Sequence, residues 1–243
     1  FERIDLRFDV GLIKFDHSKL LMKRVLAHLL LMHCLFGVID TECKAQSLDS
    51  LLKAISPTVA GEALVDTLNK KGFQVIFQDP FKAREILDKS IRSSQDIGYT
   101  TGLAVALKNK AISYDIQGSS NQAVNYFLRS LEIYSDMRDT LGIARRKKNL
   151  GIAYKNLGDI KMSRKFYRES ISLKEILGDK KGIAYGLNNV GELFQKEDNY
   201  SEALANFRNS FQLLDSLDDK RGMSIVLSNM ADVNLRIGNY QKT

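Results

Sequence analysis

The residue types that most often carry out catalysis or bind metals are confined to the start of the chain. All of the histidines and cysteines of this 243-residue sequence precede residue 46: His17, His28, His33, Cys34 and Cys43. Histidine and cysteine supply zinc ligands, acid–base catalysts at neutral pH, thiolate nucleophiles and disulfides. From Gln46 onward the sequence therefore excludes these chemistries, and with them most hydrolase and metalloenzyme classes.

Motifs of other enzyme classes are also missing from the sequence. It contains no glycine-rich phosphate loop, no Gly-x-Ser-x-Gly and no His-Glu-x-x-His. Two carboxylate pairs remain, Glu197-Asp198 and Asp218-Asp219, and both lie in turns where an acidic side chain caps the next helix. We therefore predict no catalytic residue, no cofactor and no metal, and any catalytic domain is expected beyond residue 243.

Basic residues are concentrated in one segment. Residues 142–181 contain 12 basic and 4 acidic side chains, a net charge of +8, whereas the whole chain carries +7. The segment includes Arg145-Arg146-Lys147-Lys148, and farther on Lys161, Arg164, Lys165 and Arg168. Four consecutive residues of a helix point to every side, so only some of them can share a face. A solvated face, a site for an acidic peptide or carboxylate terminus, and a nucleic-acid site are the three interpretations; an exported chain would rarely meet nucleic acid.

The overall composition favours a helical globular protein. Hydrophobic residues make up 44% and charged residues 27% of the chain, which excludes a disordered or fibrous protein. Only two prolines and no tryptophan are present. Because proline is the strongest helix breaker, so few of them allow a succession of long helices.

A 40-residue repeat organises the chain after the first quarter. Residues of one type recur at this spacing in three or four copies: Gly102, Gly142, Gly182 and Gly222; Asn109, Asn149, Asn189 and Asn229; Ser130, Ser170 and Ser210. Repetition at this length indicates a solenoid or array. Apolar spacings of three and four predict two amphipathic helices in each copy. Gly178 is expected just past a helix end and Asp179 at the next N-cap.

The copies also share a family pattern. NLGIAYKNLGD (149–159) is followed by Ser163, Tyr167 and Ser170, and NVGELFQKEDNYSEALANFRNS spans 189–210. This pattern resembles the tetratricopeptide repeat, in a long form found in partner-binding scaffolds and in sensor regions of bacterial signalling proteins. The resemblance implies an all-α, right-handed superhelical solenoid of antiparallel helix pairs with about 4.5 repeats. These repeats are expected at 62–101, 102–141, 142–181 and 182–221, with a partial copy at 222–243.

In the family, the first helix of each repeat lines a concave groove that takes a peptide. Asparagine amides both donate and accept hydrogen bonds, so the recurrent asparagines are expected either to hold a partner's backbone or to tie down their own inter-repeat turns. Carried over by the repeat spacing, the predicted groove residues are Asn109, Asn149, Asn189, Asn229, Lys108, Arg145, Lys148, Ile152, Lys155, Tyr185 and Asn188.

The N-terminal segment resembles an export signal. Lys23-Arg24 precedes the apolar run 25–39, and the small residues Cys43 and Ala45, at positions −3 and −1, fit cleavage after Ala45. A membrane anchor and a core helix are the alternatives. We expect 1–21 to be an upstream non-mature segment, 22–45 a signal peptide, 46–61 a leader helix and 62–243 the solenoid.

The sequence thus predicts an exported, periplasmic or membrane-associated bacterial scaffold. Its expected partner is a peptide or protein, with acidic partners favoured by the basic segment, and neither nucleic acid nor a small-molecule substrate is expected. Membrane contact is expected only through the N-terminal segment or a further C-terminal region. The alternative is the periplasmic input region of a bacterial membrane signalling protein, whose output would be a histidine kinase, a nucleotide cyclase or a transcription regulator.

Overall fold

The computed structural model describes residues 57–240, and every regular element in that part of the chain is an α-helix. Successive helices are joined by short turns, so neighbours along the chain run antiparallel. In chain order they are α1 (Pro57–Val75), α2 (Pro80–Asp96), α3 (Thr100–Ile116), α4 (Ser120–Asp136), α5 (Thr140–Leu157), α6 (Ile160–Ile176), α7 (Lys180–Lys196), α8 (Tyr200–Ser216) and α9 (Lys220–Tyr240).

Local sequence sets the ends of these helices. The Asp179 carboxylate accepts a hydrogen bond from the backbone N–H of Gly182 at 2.8 Å, and Gly178 before it has φ of 66°. Both expectations for this turn are therefore confirmed. Asp219 caps α9 in the same way, whereas α8 is capped by Asn199 and Asp198 instead occupies the left-handed turn position, with φ of 56°.

Within a repeat, the two helices are joined by a close contact and a hydrogen bond. A Cβ atom on Gly151 of α5 would lie 2.5 Å from Cδ1 of Tyr167 in α6, so the glycine is needed for this approach. The hydroxyl of Ser170 donates to the carbonyl of Ala144 at 2.7 Å, and the same bond recurs from Ser210 to Ala184. The repeated small and hydroxyl residues thus fix the helix pair.

The helices stack in order along the chain. From Leu64 onward they belong to one unit, in which each helix from α2 to α8 packs against the next one in sequence. One apolar cluster joins α3 to α6, and another joins α6 to α9. The predicted all-α solenoid of antiparallel helix pairs is confirmed.

The remaining N-terminal predictions fall outside this part of the chain. Segments 1–21 and 22–45 lie outside the described residues, and only 57–61 of the predicted leader helix are described, as the start of α1. Between residues 57 and 240, none of the helices combines the length and the apolar character that crossing a membrane requires.

Candidate binding surface on the first helices

The predicted groove residues are carried by the first helices of the repeats, which are α3, α5, α7 and α9. These helices also meet across repeats, since α3 contacts α5 and α7 contacts α9. A row of side chains at a spacing of 40 residues therefore runs from one first helix to the next. The structure shows which members of this row are already bound to other parts of the chain.

The side chain of Asn109, the first asparagine of the row, forms a hydrogen bond between two repeats. Asn109 is buried, and its amide nitrogen donates to the backbone carbonyl of Asn69 at 3.1 Å, one repeat earlier. Asn69 in turn donates to the carbonyl of Gly102 at 3.0 Å and accepts from the hydroxyl of Ser90. These bonds connect successive repeats through the asparagine position. The Oδ1 atom of Asn109 is buried and has no partner among the described residues.

The asparagines farther along the chain form a different arrangement. Asn229 donates to Oδ1 of Asn188 at 2.9 Å, and the buried Asn188 donates to Oε1 of Glu192 at 2.9 Å. Asn149 and Asn189 are half-buried. The four recurrent asparagines therefore do not present a uniform row of free amides, and their proposed contact with a partner's backbone stays a prediction.

Three other predicted groove residues have partners within the chain. Lys155 forms an ion pair with Glu192 at 2.7 Å. The hydroxyl of Tyr185 donates to Oδ2 of Asp219 at 3.1 Å. Ile152 is partly buried against the apolar cluster that joins α6 to α9. A ligand that uses these side chains has to compete with those contacts or add to them.

Five basic residues lie together on the first helices and beside them. We call them the cationic cluster: Lys108 from α3, Arg145, Arg146 and Lys148 from α5, and Lys174 from α6. Among the described residues, no carboxylate forms an ion pair with any of the five. Lys174 instead donates to the backbone carbonyl of Gly182 at 3.1 Å. The positive charge of the cluster is therefore not balanced by direct ion pairs.

The cluster members act on one another electrostatically. Burial, together with the charge of Arg146, lowers the pKa of Lys108 to about 8. Burial, then the charges of Arg146 and Arg145, also lowers the pKa of Lys148. Burial is the largest cause of the lowered pKa of Lys174, to which the charge of Lys148 adds. An anion bound among these residues would be attracted by several positive charges in a partly desolvated site.

Four other basic residues of the segment form a separate group on α6. Lys161, Arg164, Lys165 and Arg168 line a cavity of about 460 Å³ together with Glu169 and Glu197. This α6 group contains acids: Arg164 forms an ion pair with Glu197, and Lys147 reaches Glu169. The basic excess seen in the sequence is thus divided between two places. Among the described residues, Lys161, Lys165 and Arg168 of the α6 group form no ion pair, and neither do the five residues of the cationic cluster.

Comparison with known proteins identifies the repeat. The family model of the tetratricopeptide repeat matches residues 149–176, which cover the second half of α5 and the whole of α6. The chain is a tetratricopeptide-type repeat protein. No curated protein sequence matches it.

Solved structures show the same helical-repeat fold at low sequence identity. BtubC (BKLC) from P. vanneervenii is similar with a TM-score of 0.61 and 17% identity, covering 93% of this chain and 84% of that protein. The apo form of RapI gives 0.63 and 18%, covering 76% of this chain and 51% of RapI. A signal-transduction ATPase with a tetratricopeptide repeat sensor from Pyrococcus horikoshii gives 0.68 and 13%, covering 90% of this chain and 36% of that protein. This chain therefore spans only about half of RapI and about a third of the ATPase.

The repeat register shows what the sequence prediction missed. At the spacing of 40 residues, Arg146 of this tetratricopeptide-type protein corresponds to Ala106, Gly186 and Val226, all of them buried. Arg146 was recognised only as part of a basic run, because a run of four cations does not reveal which member faces inward. The apolar residues at its equivalent positions carry the signal that identifies it.

Proposed function

We propose that this chain is a non-catalytic scaffold that binds a peptide or protein partner along its first helices, with a preference for acidic partners. The observation that carries the proposal is the cationic cluster, in which five basic side chains lie together and none is ion-paired among the described residues. Complementary charge speeds encounter and selects among partners. Helices stacked in fixed order hold such charges in place before a partner arrives, which reduces the entropy lost on binding.

The test compares two pairs of charge reversals in the full chain. Arg145→Glu with Lys148→Glu changes the cationic cluster, and Lys161→Glu with Lys165→Glu makes the same charge change in the α6 group. Binding is measured by fluorescence anisotropy with labelled peptides rich in aspartate and glutamate, and with lysine-rich peptides of equal length. We expect the first variant to lose about 10-fold or more in affinity for the acidic peptides, and less at high salt because the charges are then screened.

The α6 variant decides whether the loss is local. It should bind the acidic peptides nearly as well as the unchanged protein, apart from a small effect of net charge. Equal losses in both variants would show that overall charge, and no particular surface, attracts the peptides. Tighter binding of single-stranded DNA than of any acidic peptide would overturn the choice of partner.

A second candidate function is the input region of a bacterial membrane signalling protein. It is supported by the apolar run at 25–39 and by similarity to an ATPase in which tetratricopeptide repeats form a sensor. Export to the periplasm is part of both proposed functions. Expression from Met22, followed by determination of the N-terminus and cell fraction, tests it: an N-terminus at Gln46 outside the cytoplasm supports export, and an intact N-terminus on cytoplasmic protein contradicts it.

A further inference from the structure

One arginine of the cationic cluster occupies a core position of the repeat. Arg146 is only 7% exposed, and its Nε and Nη1 atoms are buried with no hydrogen-bond partner among the described residues. The carbon at the centre of its guanidinium lies 5.3 Å from the centroid of the Tyr134 ring. Buried donors of a charged group are normally satisfied, so these two unpaired donors would gain partners in a ligand.

Further cations surround this arginine. The charge of Arg146 acts on both Lys108 and Lys148. Asp139 and Asp179 are the carboxylates whose charges reach the cluster, and each of them already caps the N-terminus of its helix, α5 or α7. These two carboxylates are thus engaged with backbone N–H groups, and their charges offset only part of the positive charge of the five cations.

We propose that Arg146, Lys108 and Lys148 bind the phosphoryl group of a phosphorylated serine or threonine in the partner peptide. This inference rests on the proposed function, because the partner carries the group. The planar guanidinium of Arg146 can offer two parallel N–H groups to two oxygens of an oxyanion. A phosphoryl group supplies three acceptor oxygens and a charge of about −1.5 to −2 at neutral pH. A carboxylate has a single charge and would leave two of these three cations uncompensated.

Because the guanidinium of Arg146 is buried, binding of such a ligand requires the side chain to move. Because Nε and Nη1 are buried, Arg146 has to change its side-chain rotamer to meet the phosphoryl oxygens. No hydrogen bond from those two atoms to the described residues is broken by that change. The cation–π contact with Tyr134 is lost, and charge-assisted hydrogen bonds replace it.

The experiment uses the full chain and three mixtures of short fluorescein-labelled peptides. The mixtures have random flanking residues and differ only in the central residue, which is phosphoserine, glutamate or serine. Inorganic phosphate is added separately as a competitor. We expect the phosphoserine mixture to bind about 10-fold tighter than the glutamate mixture, because more charge-assisted hydrogen bonds form.

Matched variants locate the effect. Arg146→Met should remove the preference for phosphoserine, whereas Lys161→Met, which deletes one exposed charge of the α6 group, should leave it intact. Circular dichroism checks that Arg146→Met keeps its helical content. Lys148→Gln, a milder change, should reduce the preference by about 3-fold, which gives an independent measurement at the edge of the site.

The outcomes separate this inference from the proposed function. If phosphoserine and glutamate mixtures bind equally, or if Arg146→Met keeps the preference, peptide binding stands and the phosphoryl site is overturned. If inorganic phosphate binds and none of the peptide mixtures does, the proposed function fails as well, and the ligand is a free phosphate compound.

Discussion

Replacing Arg146 by methionine should stabilise the protein. Methionine retains the apolar stem of the side chain and removes the two buried donors that have no partner among the described residues. Each unsatisfied buried donor costs about 1–3 kcal/mol. The contact with the Tyr134 ring offsets about 0.5–2 kcal/mol of this cost. We therefore expect the free energy of unfolding to increase by about 1–3 kcal/mol, within the range found when buried charges are replaced by apolar residues of similar volume.

Urea unfolding of the full chain measures this change. Far-ultraviolet circular dichroism and tyrosine fluorescence should give the same transition if the repeats unfold together, which is the condition for comparing free energies. For a chain of this length, a gain of 1 kcal/mol raises the melting temperature by about 2–4 °C. The two measurements therefore check each other.

Lys147→Met is the matched control for this prediction. Lys147 is the next residue of α5, but its ammonium group forms an ion pair with Glu169, and both side chains are partly exposed. Its replacement should lower the free energy of unfolding by no more than about 1 kcal/mol. A less stable Arg146→Met protein beside a normal control would refute the reasoning, because it would show that the guanidinium is well satisfied in the folded state.

Three further substitutions test other parts of the structure. Lys108→Met should stabilise the protein more at pH 7 than at pH 9.5. The folded pKa of Lys108 is about 8, below its ordinary 10.5, so the unchanged protein gains about 2 kcal/mol of stability between these two pH values. A difference in urea midpoint that does not change with pH would contradict this. Gly151→Val should lower the free energy of unfolding by about 1–3 kcal/mol, because its side chain would overlap the buried Tyr167 ring, and an unchanged melting curve would argue against that contact. Ser170→Ala should lower it by about 1 kcal/mol by removing the hydrogen bond to the Ala144 carbonyl, and no loss in urea unfolding would mean that the bond adds nothing.

Much of the fold could be predicted because local chemistry and repeat spacing point to the same elements. Gly178 and Asp179 were expected to end one helix and begin the next, and their φ angle and hydrogen bond do so. Gly151 belongs to the repeated pattern quoted at 149–159, and the Tyr167 ring fills the space beside it. Such features depend on neighbours in sequence or on one repeat length, so a single sequence is enough to find them.

The binding surface could be predicted less completely because it depends on contacts between repeats. The sequence does not reveal that Asn109 donates to the backbone one repeat earlier, while Asn229 donates to another side chain. Equivalent positions therefore differ in their partners although their residue type is the same. Lys155 likewise pairs with a carboxylate of the following repeat, and Tyr185 donates to Asp219 in the turn before α9, so the packing of the helices brings these groups together.

The position of Arg146 links stability to binding. The same site is filled by Ala106 and Val226 in other repeats, so the fold itself does not require a cation there. A residue that departs from the buried apolar pattern of its repeat is more common at functional sites than elsewhere, because stability is often lost there in exchange for activity. If Arg146 had only a structural role, methionine would alter stability and leave the choice among peptides unchanged. A role in binding predicts opposite changes in one variant: higher stability and loss of the preference for phosphoserine.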